Sequence, residues 1–135
     1  MTFLVDANVL SETTRSAPSP RAVDWLRRHE EDMVLDPIIV GEILFGILAL
    51  PPGKKRRRLE KWYDDEVVDI PCHDWSAETG IHWARLLADL RSAGHAMSIK
   101  DSMIAATARV HDLTIATRNT SHFQHAGVRL VDPFA

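Results

Sequence analysis

The chain has 135 residues, of which 45% are hydrophobic and 26% charged, which is the balance of an ordinary globular protein of one domain. A formal net charge of −3 argues against a protein that binds nucleic acid through an overall excess of positive charge. The sequence has no apolar run near the ~18 residues of a membrane span and no secretory leader at its start, and its single cysteine, Cys72, cannot form an internal disulfide. We therefore expect one domain over residues 1–135, in the cytoplasm, with no membrane partner.

Short apolar segments alternate with longer helical ones along the chain, and this alternation predicts an α/β fold with a central parallel sheet flanked by helices. The first strand is predicted at residues 3–5 and is followed directly by Asp6. A short helix is predicted from Asn8 to about Thr14. After a loop rich in proline and serine, a second helix is predicted from Arg21 to Glu31.

The second strand is predicted at Met33–Leu35, and Asp36-Pro37 is a strong signal for the start of a helix. Aspartate accepts hydrogen bonds from the free amides of a first helical turn, and proline needs no amide partner there. This helix is expected to end before Pro51-Pro52-Gly53. Its predicted core residues are Ile39, Ile43, Phe45 and Ile47.

A cationic run opens the next predicted helix, which extends from Lys54 to about Glu66. The run is Lys54-Lys55-Arg56-Arg57-Arg58, and two interpretations of it stay open. It could contact the phosphate backbone of a nucleic acid, or it could be a solvated first turn and loop.

The second half of the chain continues the alternation with three strands and two helices. Strands are predicted at residues 67–70, 113–117 and 128–131, which brings the sheet to about five strands. One helix is predicted from Trp75 to Ala93 and another from Asp101 to His111. The apolar spacing in the first of these helices predicts a core face made of Ile81, Ala84, Leu87, Ala88 and Leu90.

Three carboxylates stand where strands end or helices begin: Asp6, Glu42 and Asp101. In a parallel sheet such positions share one edge, so the three side chains can meet although they are distant in sequence. Like charges resist this crowding unless a cation compensates them or one acid takes up a proton. Carboxylate oxygens select a hard divalent ion such as Mg²⁺ or Mn²⁺.

Each acid also has a purely structural interpretation. Asp6 could cap the helix that follows the first strand, and Asp101 could form a capping box with Ser98. Glu42 could simply favour the positive end of its helix. Taken one at a time, none of the acids identifies a site, so the hypothesis of a metal pocket depends on their convergence.

Five segments of the chain form a pattern that spans nearly its full length. They are FLVDANVLSE, DPIIVGEILFGI, KDSMIAATA, IATRN and VRLVDPF. In their order and spacing they resemble the PIN-domain ribonucleases, and among these the VapC-like toxins of bacterial toxin–antitoxin pairs. The resemblance implies a single PIN-like domain that acts as an endoribonuclease on RNA phosphodiester bonds. It also implies a homodimer that is inhibited by a cognate antitoxin covering the acidic pocket.

Carried over to this chain, the resemblance implies that Asp6 and Asp101 bind Mg²⁺ directly, with Mn²⁺ as a possible substitute. Glu42 would help to hold the ion or a water bound to it. Thr117 and Asn119 match the TRN segment of the family and would orient the water or the phosphate. The ion would polarise the phosphoryl oxygens and supply a more acidic water.

One position departs from the family pattern. Members of the family often carry a further acid three residues after the Asn of TRN, and here His122 stands in that place. A neutral imidazole supplies no negative charge, so a second metal ion should bind less tightly than in a pocket with four acids. Lys100, directly before Asp101, could contact an RNA phosphate or point to solvent.

Two other functions stay open at this point. The change at His122 and the acidic composition favour a non-catalytic RNA-binding or regulatory PIN module, although all three acids are retained. A phosphatase of the haloacid-dehalogenase type also begins with an acid after its first strand. Its mechanism normally needs a second acid two positions later, where this chain has Asn8.

Overall fold

The computed structural model describes residues 1–135 and shows a parallel sheet flanked by six helices. The strands are β1 (Phe3–Val5), β2 (Met33–Val34), β3 (Thr114–Ala116) and β4 (Arg129–Val131). The helices are α1 (Ala7–Leu10), α2 (Pro20–Arg28), α3 (Pro37–Leu48), α4 (Lys54–Trp62), α5 (Ala77–Ala93) and α6 (Ile99–His111). The sheet has four strands in the order β2-β1-β3-β4, all parallel. The predicted α/β class with a parallel sheet is confirmed.

The centre of the sheet is the centre of the core. Every residue of β1 and β3 is buried, as is usual where helices cover a parallel sheet. Leu4 lies in register with Val34 on one side and Ile115 on the other. These strands belong to one cluster of 22 buried apolar residues. No helix combines the length and the apolar character that crossing a membrane requires.

The fifth predicted strand, at residues 67–70, is wrong. α4 continues through a π-helical turn at Tyr63–Val67, so the apolar run begins inside a helix. The following segment meets the sheet only at an isolated bridge between Leu35 and Cys72. Pro71 accepts a hydrogen bond from the amide of Leu35 at 2.8 Å but has no amide to donate, so a regular ladder does not extend through it.

The predicted core face of α3 is wrong at one residue. Ile39, Ile43 and Ile47 are buried and follow one another at a spacing of four, which places them on one side of the helix. Phe45 is 75% exposed. It is two positions from Ile43, a rotation of about 200° around the helix axis, and therefore lies on the opposite side.

The predicted core face of α5 is also wrong in part. Leu86 and Leu90 are buried, but Ile81, Ala84 and Ala88 are exposed. Apolar residues occur all around this helix, so their spacing does not define a single stripe. The face that becomes buried is decided by packing against α6, which is the main neighbour of α5.

Polar side chains gather at one edge of the sheet. Asp6 follows β1 directly, Thr117 follows β3 directly, and Asp36 follows β2 after one residue. Because the strands are parallel, their carboxyl ends lie along the same edge. Asp36 is fully buried and caps α3 by accepting a hydrogen bond from the amide of Ile39 at 2.9 Å.

Candidate active site

Asp6 is fixed at the sheet edge by β3, by the residue that follows β3, and by α1. The residue is 6% exposed. Its Oδ1 accepts a hydrogen bond from the amide of Ala7 at 2.9 Å, and its Oδ2 accepts one from Thr117 Oγ1 at 2.8 Å. Its own amide donates to the carbonyl of Ala116 at 2.9 Å. Asp6 is therefore a helix cap, and the same contacts hold its carboxylate in one orientation.

Thr117 lies directly against Asp6, whereas Asn119 is tied to the site only through its backbone. Thr117 is fully buried, and while its hydroxyl donates to Asp6 it accepts a hydrogen bond from the amide of Asn119 at 3.1 Å. Asn119 precedes the short helical turn Thr120–Phe123, and its exposed side chain makes no hydrogen bond. The amide side chain of Asn119 thus stays available at the surface beside Asp6.

Asn8 belongs to this arrangement although the sequence interpretation did not select it. Its Nδ2 lies 3.4 Å from both Asp6 Oδ2 and Thr117 Oγ1. Its Oδ1 accepts a hydrogen bond from the amide of Arg118 at 3.2 Å. Asn8 therefore joins α1 to the segment after β3. The available signal was an amide side chain two residues after Asp6, inside an otherwise apolar helical turn.

Asp101 faces the same pocket from the first turn of α6. This helix begins at Ile99, two residues before the predicted start, and Ser98 Oγ caps it by accepting from the amide of Asp101 at 3.1 Å. The carboxylate of Asp101 takes no part in the cap, so the predicted capping box is only half formed. Instead, Asp101 Oδ2 lies 3.6 Å from Nδ1 of His122. The imidazole therefore stands beside a candidate metal ligand.

Glu42 enters the pocket from the middle of α3 and is paired with Lys100 of α6. Lys100 Nζ donates to Glu42 Oε2 at 2.9 Å. The other oxygen, Oε1, is buried and has no hydrogen-bond partner. A buried carboxylate oxygen without a partner costs free energy, so a cation or a water at this atom would be stabilising.

Burial and neighbouring charges perturb the ionisation of Asp6 and Glu42. Burial raises the pKa of Asp6, its hydrogen bonds oppose that rise, and the charge of Asp101 adds to it. Burial also raises the pKa of Glu42. The hydrogen bond from Lys100 lowers this pKa, and the charges of Asp6 and Asp101 raise it. The hydrogen bond to Glu42 in turn raises the pKa of Lys100.

The donor set of the pocket fits a hard divalent cation. Asp6, Glu42 and Asp101 offer only carboxylate oxygens, which are the ligands that Mg²⁺ and Mn²⁺ prefer. No three His, Cys, Asp or Glu side chains already stand at metal-ligand spacing, and Glu42 is turned toward Lys100. A bound ion would therefore draw the carboxylates closer together than they are in this structure.

The metal-free protein is expected to lose stability, relative to the variant Asp6→Asn, as the pH rises above the ordinary aspartate pKa of 3.8. Because burial raises the pKa of Asp6, the folded state binds this proton more tightly than the unfolded chain does. The resulting stabilisation is complete below the unfolded pKa and is lost as the pH rises through the raised pKa of the folded state. Urea unfolding of both proteins in chelator, across this range, measures the difference. If the free energy of unfolding of the unsubstituted protein instead increased with pH relative to that of Asp6→Asn, the expectation would be contradicted.

Comparison with known proteins places the chain in a family. The sequence profile of the PIN domain matches residues 3–128. The chain is similar to the VapC ribonuclease Y4jK of Sinorhizobium fredii, with 30% identity over 136 residues that cover 98% of this chain and 97% of that protein. It is also similar to the toxin FitB of Neisseria gonorrhoeae, with 32% identity and 98% of each chain covered.

Solved structures give the same result for the fold. The structure of FitAB bound to the IR36 DNA fragment matches with a TM-score of 0.93 and 30% identity, covering 99% of this chain and 96% of the other. FitAcB from Neisseria gonorrhoeae matches with a TM-score of 0.87 and 32% identity, covering 98% and 99%. The matched profile and the full-length relatives agree, and the chain belongs to the PIN domain family.

Proposed function

We propose that this protein is the toxin of a toxin–antitoxin pair and acts as a metal-dependent endoribonuclease that hydrolyses phosphodiester bonds of RNA. The observation that carries the proposal is the approach of three carboxylates at the sheet edge: Asp6 follows β1, and Glu42 of α3 is bound to Lys100, which directly precedes Asp101 on α6. The names of similar proteins support it, since one is called a VapC ribonuclease and another a toxin.

In this proposal Asp6 and Asp101 hold Mg²⁺, or Mn²⁺ in its place, and Glu42 holds the ion or a water bound to it. When bound, the ion supplies an acidic water and offsets charge that develops on the phosphoryl oxygens. Thr117 keeps the Asp6 carboxylate in a fixed orientation through its hydroxyl. Asn119, with its free amide side chain, orients the phosphate or the attacking water.

The cationic run at the start of α4 supports RNA as the substrate. Two of its members are engaged within the protein: Arg56 pairs with Glu60 at 3.0 Å, and Arg58 donates to the carbonyl of Thr14 at 3.2 Å. The members that are exposed and make neither an ion pair nor a side-chain hydrogen bond are Lys54, Lys55 and Arg57. In a chain with a net charge of −3, these three provide a local attraction for phosphates.

Metal-dependent cleavage of total RNA is the test of this proposal. The protein is expected to cut RNA in Mg²⁺ or Mn²⁺, to stop when a chelator is added, and to lose activity in Asp101→Asn. Circular dichroism of the variant checks that it remains folded. RNA binding without any metal-dependent cleavage would sink the proposal and favour the non-catalytic RNA-binding or regulatory module.

A cognate antitoxin is the proposed protein partner. A cavity of about 440 Å³ opens between the α1 segment, α2 and α4. Its lining combines apolar and acidic side chains, among them Leu10, Leu26, Trp62, Glu30, Glu66 and Asp69. This lining suits an antitoxin segment that carries apolar and basic residues. Residues 8–14 contribute to this cavity, whereas residues 42–50 do not.

Growth rescue tests the role of this cavity. Co-expression of the candidate antitoxin is expected to restore growth for the unsubstituted toxin but less well for the double variant Glu66→Lys, Asp69→Lys. Both acids lie in the cavity lining and outside the acidic pocket of Asp6, so cleavage by the purified variant serves as the control. Equal rescue of the two toxins would rule out this docking position.

The proposal includes a homodimer in the cytoplasm. Its support is the apolar surface of α3, where Phe45 is 75% and Leu48 is 56% exposed. Large apolar side chains that neighbour each other on a surface are typical of an interface. Light scattering should give twice the chain mass of 15.2 kDa for the purified protein and the single mass for Phe45→Asp. A monomeric unsubstituted protein would contradict the dimer.

A further inference from the structure

Lys100 places a permanent positive charge inside the acidic pocket. Its Nζ lies 2.9 Å from Glu42 Oε2, and this ion pair joins α6 to α3 although the two residues are 58 positions apart in the sequence. Lys100 is in the first turn of α6, where a cation is unfavourable because the helix dipole is positive at that end. The position is therefore not explained by helix stability, and the ion pair with Glu42 provides the explanation.

We propose that Lys100 is a positioning residue that takes the place of a second cation and limits the acidic pocket to one divalent ion. This inference rests on the proposed function, because it concerns the same pocket. It adds a property that the three carboxylates alone do not define, which is the number of metal ions that the site accepts.

The charges in the pocket balance one divalent ion. Asp6, Glu42 and Asp101 contribute three negative charges and Lys100 contributes one positive charge, which leaves a net charge of −2. One Mg²⁺ or Mn²⁺ neutralises this charge. A second divalent ion would leave an excess of positive charge in a pocket that is partly shielded from water, which is electrostatically unfavourable. The side chain 3.6 Å from Asp101 is that of His122, which brings no negative charge to offset that excess.

The geometry leaves one oxygen of Glu42 without a partner beside Lys100. The ammonium group engages only Oε2 of Glu42, and Oε1 remains buried without a partner. Glu42 can therefore offer one oxygen to a metal ion or its water while the other keeps its hydrogen bond to Lys100. The ion pair also fixes the position of Glu42 relative to α6, which carries Asp101.

Counting bound Mn²⁺ tests the inference without requiring catalysis. Isothermal titration calorimetry and the electron paramagnetic resonance signal of free Mn²⁺ give the number of ions and their affinity at low ionic strength. The variants are Lys100→Met, which removes the charge at similar length, and Lys100→Arg, which keeps the charge. Lys61→Met is the matched control. Lys61 is an exposed lysine on α4, and it pairs with Asp65 in the turn that follows this helix.

The unsubstituted protein, Lys100→Arg and Lys61→Met are each expected to bind one Mn²⁺. Lys100→Met is expected to bind the first ion about tenfold more tightly and to take up a second one. Two ions on the unsubstituted protein, no ion at all, or an unchanged number and affinity in Lys100→Met would each overturn the inference. RNA cleavage is measured in parallel: one bound ion with no cleavage would overturn the proposed function and leave the role of Lys100 intact.

Discussion

Replacing Asp36 with alanine is expected to lower the free energy of unfolding by about 2–4 kcal/mol. Asp36 is fully buried, caps α3 through the amide of Ile39 at 2.9 Å and accepts a hydrogen bond from Thr107 Oγ1 at 2.7 Å. The same Thr107 oxygen accepts from Trp75 Nε1 at 3.1 Å. Loss of the cap costs about 1 kcal/mol, and loss of the buried hydrogen bond from Thr107 to a carboxylate costs about 1–3 kcal/mol, since the remaining acceptor of that hydroxyl is the Met103 carbonyl at 3.4 Å. Urea unfolding of both proteins, analysed with one m-value for the two, measures the sum of these losses.

Two further variants separate these contributions. Asparagine caps helices as well as aspartate and can exchange a hydrogen bond with Thr107, so Asp36→Asn is expected to cost less than half as much as Asp36→Ala. Asp24→Ala removes an exposed carboxylate that pairs with Arg28 at 3.0 Å, and its effect should stay within about 0.5 kcal/mol. If Asp36→Ala were as mild as Asp24→Ala, the buried network would not stabilise the fold in the way its geometry indicates.

The central strands and the starts of several helices could be predicted from local sequence. β1 is apolar and ends at a helix-capping acid, and Asp36-Pro37 marks the start of α3. The strand prediction at residues 67–70 fails because three β-branched apolar residues around Asp69 suit the end of a π-helical turn as well as a strand. Whether such a segment joins a sheet depends on its tertiary partners, which the local pattern does not contain.

In the candidate site, too, some features can be predicted from the sequence and others cannot. That acids after β1 and at the start of α6 would face one sheet edge follows from the parallel topology alone. The pairing of Lys100 with Glu42 does not follow, because it depends on the distance between α3 and α6 and on the conformation of two long side chains. The same limit applies to Asn8, since its contacts with Thr117 and Arg118 join positions more than one hundred residues apart.

Asp6→Asn is expected to reduce metal-dependent RNA cleavage by on the order of 10³-fold, because a metal ion supplies several kcal/mol of charge stabilisation and about 4 kcal/mol corresponds to that factor. Asparagine keeps an oxygen that can accept from the Ala7 amide and cap α1, but it removes the charge of a principal candidate ligand. Single-turnover cleavage of a defined RNA in saturating Mg²⁺ measures the loss. Asp132→Asn is the matched control: Asp132 follows β4 as Asp6 follows β1, and its Oδ1 accepts from the amide of Phe134 at 2.9 Å.

The same substitution separates a functional acid from a structural one. Burial disfavours the ionised form of Asp6, as its raised pKa indicates, so in chelator at neutral pH the neutral amide should leave the protein at least as stable as before. If Asp6 served the fold alone, cleavage would fall only together with stability. Loss of cleavage with unchanged or increased stability therefore assigns the Asp6 carboxylate to metal binding. Full cleavage by Asp6→Asn, or a loss that is matched by Asp132→Asn, would remove the basis for the metal site.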